Sequence, residues 1–159
     1  MTRTVTTTRT VTQSSGSAST CTAGQLSGTF TLIAGSGAAG QISYSLALTN
    51  TSSTSCTTVG ASSVQLLSAT GSALPTKAVP AAGVVLVGAQ LSPGGSTVVS
   101  ARFSPSVPGS GDSTSGRCQP KAYTLEVTLN GGGTVDAPIT PPTSVCEGGT
   151  LNFSASGTP

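Results

Sequence analysis

Apolar and polar residues alternate through residues 41–50, QISYSLALTN, where Ile42, Tyr44, Leu46 and Leu48 interleave with Gln41, Ser43, Ser45 and Ala47. A period of two marks an extended strand with one buried face. A polar run then carries the chain to Cys56. The same pattern predicts strands at 28–33, with Phe30 and Leu32 on one face, and at 64–69. A short apolar run at 84–87 (VVLV) reads as a buried strand. At 96–103 Val99, Ala101 and Phe103 point inward and Arg102 outward. Residues 122–129 alternate again, placing Tyr123, Leu125, Val127 and Leu129 inside and Glu126 outside. Asn130-Gly131-Gly132-Gly133 is a hairpin signal, and 134–137 is its return strand. Leu151, Phe153 and Ala155 form a last strand. Proline demotes two segments, so 74–82 reads as an extended connection and 138–142 as irregular. Leu91-Ser92-Pro93-Gly94-Gly95 reads as a turn. No stretch has the 3.6-residue period of a helix. Short strands separated by turns indicate an all-β, two-sheet antiparallel sandwich.

Composition thins the expected core, because aromatic residues are only 3% of the chain and charged residues 6%. The formal charge of +2 is carried by Arg3 and Arg9. Lys77, Arg102, Arg117 and Lys121 stand against Asp112, Glu126, Asp136 and Glu147 in a body that is neutral overall. Such a body has no electrostatic footprint for nucleic acid or an anionic membrane. Residues 1–20 repeat TRTVT and end in SSGSAS, the composition of a disordered stalk. The expected division is a stalk at 1–20, a β-domain at 21–155 and a polar end at 156–159. No apolar stretch is long enough to span a bilayer, and the first residues lack the apolar segment of a signal peptide. The chain is therefore expected to begin downstream of an export signal or membrane anchor.

Cys21, Cys56, Cys118 and Cys146 are widely spaced, with no C-x-x-C and no histidine. Zinc on four cysteines ordinarily uses close pairs, so two disulfides in an oxidising compartment are the better reading. Three pairings satisfy it. Without histidine neither a Ser-His-Asp nor a Cys-His arrangement can form. Leu74 and Cys118 stand three residues before Lys77 and Lys121, which excludes S-x-x-K. Asp112, Asp136, Asn130 and Glu147 are too dispersed for a calcium loop, and Glu126, on an outward strand face, is no member of a catalytic carboxylate pair. The glycine runs sit in turns with no helix behind them to hold phosphate. Tyr44 and Tyr123 are in phase with apolar positions and read as core. Asn50-Thr51-Ser52 and Asn152-Phe153-Ser154 match the N-glycosylation pattern by chance. No catalytic, cofactor-binding or metal-ligating residue is expected.

The ordered series of Cys21, the glycine-rich loop through Gly40, the strand ending LTNTSS, Cys56, LSPGG at 91–95, Cys118-Gln119-Pro120 and Cys146 resembles the secreted bacterial proteins of domain-of-unknown-function family 4232. The resemblance covers nearly all of residues 21–155. It implies an immunoglobulin-like fold, an extracytoplasmic location behind a lipoprotein signal or anchor, and pairing of Cys21 with Cys56 and Cys118 with Cys146. The family often carries a Gly-Tyr-Pro-like element after its second cysteine, where this chain reads Val59-Gly60-Ala61. No catalytic residue carries over. The expected function is a monomeric, non-catalytic module binding an envelope polymer, a ligand or a surface protein through the loops at 34–40 and 104–116. Ser36, Gly37, Ser110, Asp112 and Arg117 are its candidate contacts. A structural spacer or adhesion domain is the alternative.

Overall fold

The structure is a computed structural model that describes residues 19–58, 60–79, 90–130 and 132–155, without the side chain of Ala155. Ten strands follow in chain order: β1 (Leu26–Leu32), β2 (Ile42–Asn50), β3 (Cys56–Thr57), β4 (Ala61–Leu67), β5 (Lys77–Val79), β6 (Gln90–Leu91), β7 (Ser96–Phe103), β8 (Ala122–Leu129), β9 (Thr134–Thr143) and β10 (Thr150–Ala155). The stalk residues 1–18, the expected strand at 84–87 and the end at 156–159 lie outside the described residues. Contact with the body begins ahead of Cys21: Ser19 O accepts from Thr57 N at 2.9 Å, and Thr20 bridges to Thr57.

Where alternation is strict, burial follows it. In β2 Tyr44, Leu46 and Leu48 are buried, and in β7 Val99, Ala101 and Phe103. Phe30, Tyr44 and Phe103 stack in the centre, with ring centroids 5.1 Å and 5.2 Å apart for the two contacts of Tyr44. Offset pairs of this kind add roughly 0.5–1.5 kcal/mol each beyond their area. Concentrating three of the chain's five aromatic rings there compensates for their scarcity. The Tyr44 hydroxyl escapes the apolar surroundings by donating to Pro141 O at 2.7 Å. Burial raises its pKa, an effect partly offset by a hydrogen bond with Thr143.

Eight strands form one sheet in the order β4-β8-β9-β1-β2-β7-β10-β5, and β3 pairs with β6 beside it. The expected antiparallel two-sheet, immunoglobulin-like sandwich holds only as an all-β domain with two disulfides. The sheet is mixed, because β1 pairs with β9 and β10 with β5 in parallel. It is also barrel-like. The terminal strands β4 and β5 are joined through a tight turn, where Ser68 N donates to Ser72 O at 2.8 Å. Their seam is closed by side chains: Leu66 N donates to Thr76 Oγ1 at 2.9 Å, and Gln65 Nε2 to Leu74 O at 2.6 Å.

β9 makes this continuity possible, and it corrects the expectation that 138–142 is irregular. Its first half pairs with β8 continuously as far as Pro138, which lies opposite Thr124, and β8 is met again only at Thr143, opposite Ala122. Proline has no N–H for the ladder, so the pairing with β8 is interrupted over 139–142, where Ile139 and Thr140 pair with Phe30 and Thr31 of β1. The Thr140-Pro141 bond is cis. Gly28 admits this crossing, since a Cβ there would sit 3.1 Å from Ala137 Cβ and 3.2 Å from Val135 Cγ1.

Two inward assignments fail. Leu32 is 39% exposed, at the end of β1 beyond the buried Phe30. Tyr123 is 42% exposed because β8 changes register between Ala122 and Thr124, which reverses the phase of everything before the irregularity. Ala122 is buried in its place.

Candidate functional site

The antiparallel and parallel pairings place the β1–β2, β7–β8 and β9–β10 connections at the same end of the sheet. The two loops expected to carry binding, 34–40 and 104–116, therefore lie together. A Cβ at Gly40 would come within 3.1 Å of Val107 Cγ2. Arg102 adds a tie from β7, donating through Nε to Gln41 Oε1 at 2.7 Å and through Nη2 to Ala38 O at 3.3 Å. Ser36 is engaged locally: its Oγ accepts from Ser43 N at 3.0 Å and donates to Ser43 O at 3.3 Å. Gly37 and Ser110 are exposed.

The pairing implied by the family resemblance is present. Cys21 joins Cys56 at one end of the sheet, and Cys118 joins Cys146 at the loop end. Two disulfides are expected of an oxidising environment. Among the described residues no helix is long and apolar enough to cross a membrane.

After Cys146 the backbone makes an unusual turn. Glu147 and Gly148 both take left-handed conformations, with φ of 58° and 66°. Successive N–H groups in such a turn converge and make a concavity for an anion. Asp112 fills it. Its Oδ2 accepts from Gly109 N at 2.8 Å and from Glu147 N, and its Oδ1 from Gln119 Nε2 at 2.8 Å and Gly148 N at 2.9 Å. Asp112, expected as a binding contact, is thus the anchor that holds the β7–β8 loop on the β9–β10 turn. Its carboxylate also lies beside Sγ of Cys118 and Cys146, the three within 4.8 Å of one another, but both sulfurs are shared in the disulfide.

The Gly109 N–H, joined by the Gln119, Gly148 and Glu147 donors, outweighs the desolvation of Asp112 and holds its pKa well below the carboxylate range. A depressed folded-state pKa stabilises the fold above the unfolded value of roughly 3.9, and that contribution disappears as pH falls toward the folded value. Thermal unfolding followed against pH should show wild type losing stability below about pH 4. D112N should start from a lower melting temperature at neutral pH and show a shallower acid slope. An unchanged acid slope in D112N would place the anchor elsewhere.

Beside the Cys118–Cys146 bond an open groove of about 320 Å³ is walled by Pro105, Ser106, Arg117, Lys121, Pro142 and Ser144, among others. A second hollow of about 480 Å³ lies across Arg117 and Cys118, against Gly111, Ser113 and Gln119. Arg117 and Lys121 have no ion pair or hydrogen bond among the described residues. Of the expected contacts only Arg117 lines the groove. Lys121, Ser144 and the adjoining Tyr123 were not anticipated as contacts. Lys121 carries no motif, Ser144 comes from a distant connection, and Tyr123 is displaced by a register change that alternation does not announce. The carboxylates Glu126 and Asp136 are cross-strand partners on the open face of β8 and β9, outside both hollows.

Asn50, the first residue of a glycosylation pattern, is wholly buried. Its Nδ2 donates to Thr54 O at 2.8 Å and Leu91 O at 3.0 Å, and its Oδ1 accepts from Ser52 N at 2.9 Å and Ser52 Oγ at 2.7 Å. It is the internal tie of the NTSSTSC turn at the opposite end.

Fold and site together define a small, disulfide-stapled, all-β domain whose open groove lies on connections between strands. The chain belongs to the family described as Domain of unknown function (DUF4232), whose model matches residues 21–156. No curated protein and no solved structure matches it.

Proposed function

We propose that the domain is a non-catalytic, extracytoplasmic binding module that holds a component of the cell envelope at its Cys118–Cys146 end. The observation that carries this reading is the pair of cations Arg117 and Lys121, without a partner among the described residues, in the wall of an open groove. Two cations in the wall of one concavity give it a convergent positive charge that an anionic ligand would complement. Two disulfides support an oxidising location, and the loop residues of the site rest on a rigid sheet, the usual division of labour in binding domains. Full-length protein should be retained by one of three purified envelope fractions, namely wall polymer, membrane or surface protein, and R117A/K121A should be released from it. Absence of retention on all three would favour a spacer or adhesion domain in place of this reading.

A further inference from the structure

We infer that the groove takes an acidic saccharide, a sugar chain carrying carboxylate or phosphate groups; this rests on the binding-module reading and deepens it. Arg117 and Lys121 supply the positive charge. Neither nearby carboxylate pairs with these cations among the described residues: Asp112 commits both its oxygens to four N–H donors, and Glu147 packs against Gly109 outside the groove wall. The groove's hydroxyls complement a sugar. Ser144, in the groove wall, donates through Oγ to Gln119 O at 2.7 Å, which leaves the Oγ lone pairs as the only groove-side acceptor it could offer. Ser106 Oγ has no partner among the described residues and can donate or accept.

Tyr123 adds the third component. It flanks buried Ala122 on one side as Lys121 does on the other, and both are exposed, so the two side chains project to the same outer side of β8. Ala122 itself pairs with Thr143, a residue of the groove wall, so Tyr123 stands next to the groove, outside the residues that wall it, within reach of a ligand that extends beyond it. An exposed tyrosine offers an apolar face for the C–H side of a sugar ring and a hydroxyl for its edge. Cations for the oxyanion, hydroxyl oxygens for the sugar hydroxyls and an aromatic face for the ring match one ligand chemistry. A volume of about 320 Å³ accommodates a short stretch of such a chain.

The experiment is calorimetric titration of the full chain with an oligogalacturonate, a phosphorylated oligosaccharide, a neutral oligosaccharide of the same length, inorganic phosphate and phosphatidylglycerol vesicles. Either or both of the acidic sugars should bind, and the one that does identifies the oxyanion; the neutral one should bind roughly ten- to a hundredfold more weakly. R117A/K121A, confirmed as folded by its melting curve, should lose a similar factor. Y123A should lose roughly two- to tenfold, with Y123F keeping most of the affinity. Equal binding of acidic and neutral sugars, binding of phosphate alone or of vesicles alone, or acidic-sugar binding untouched by R117A/K121A would overturn the inference. Retention of full-length protein by an envelope fraction together with failure of both acidic sugars would overturn this ligand assignment and leave the binding module standing. Failure of every fraction and every titrant would remove both.

Discussion

Gly149→Ala is expected to lower stability by roughly 3–5 kcal/mol, the sum of a left-handed backbone forced on a residue with a Cβ and an overpacked contact. Gly149 has φ of 82° and lies directly before β10. A Cβ on it would sit 2.5 Å from the carbonyl carbon of Pro75 and 2.9 Å from Thr76 Cα, and nearer still to the Pro75 oxygen. All three atoms are backbone, so no side-chain rotation relieves the contact. The opposing segment is itself tied, because Leu74 N donates to Leu66 O at 2.9 Å and Thr76 Oγ1 accepts from Leu66 N. This is the seam where β10 meets β5 in parallel and the two ends of the sheet approach each other. Against a typical total stability of about 5–15 kcal/mol, such a loss leaves a small margin or none. Gly148→Ala is the control. It shares the left-handed conformation, with φ of 66°, but has nothing within 4 Å of its Cβ position, so it should cost roughly 1–3 kcal/mol from the backbone alone. Denaturant midpoints of the two variants test the argument: equal midpoints would mean that the seam yields and the close approach to Pro75 is not a constraint.

The difference between what the amino-acid pattern reveals and what it conceals runs along a physical line. The bounds expected for β7 and β8 match the observed strands residue for residue, because alternation is a local property and both strands have one wet face and one dry face. The parallel pairings are invisible to alternation, since a strand's own pattern says which face is buried and nothing about the direction of its neighbour. The prolines divide β9 in the pattern: a missing N–H interrupts the pairing with β8, yet the strand continues on its other edge with β1 and meets β8 again at Thr143. Tyr123 shows a further limit, as one register irregularity inverts the phase and turns an expected core residue into a surface one.

The site was less legible than the fold because its determinants are made of backbone. Asp112 is defined by N–H groups 35 and 36 residues away, on Glu147 and Gly148, and an N–H carries no signature of residue type. The Gly148-Gly149 pair after Cys146 is the only local sign of an unusual turn there, and Glu147 adopts the left-handed form without being a glycine. The loops at 34–40 and 104–116, named as candidates on their composition, lie at one end of the sheet, but only the second borders the groove, where it is joined by residues beyond it and from the end of β9. Neutrality of the body concealed the site as well. Four cations against four carboxylates suggest no charged surface, yet Asp112 is committed to N–H donors and not to a cation, so Arg117 and Lys121 stand without an ion pair among the described residues.

Removing either disulfide should cost about 3.5–4 kcal/mol in the chain-entropy model, given sequence separations of 35 and 28 residues, and lower the melting temperature by roughly 10 °C. The near equality of the two stabilities conceals different consequences. Cys21–Cys56 closes the end of the sheet at which Asn50 ties the NTSSTSC turn to Leu91, and it secures the first described residues to β3. The C21A/C56A variant should therefore melt earlier yet retain wild-type affinity at the opposite end, measured well below its melting temperature. Cys118–Cys146 joins the wall of the groove to the turn that receives Asp112. Without it, the β7–β8 loop and the β9–β10 turn are held together by hydrogen bonds to Asp112 and Gln119, and Arg117 loses its fixed position relative to Lys121 and Ser144. C118A/C146A should accordingly show a comparable drop in melting temperature, a marked rise in amide exchange at residues 104–121, and weaker retention on whichever envelope fraction holds the wild type. If both variants lose retention equally at matched stability, the groove is not where the ligand sits; if neither does, the disulfide serves the fold alone.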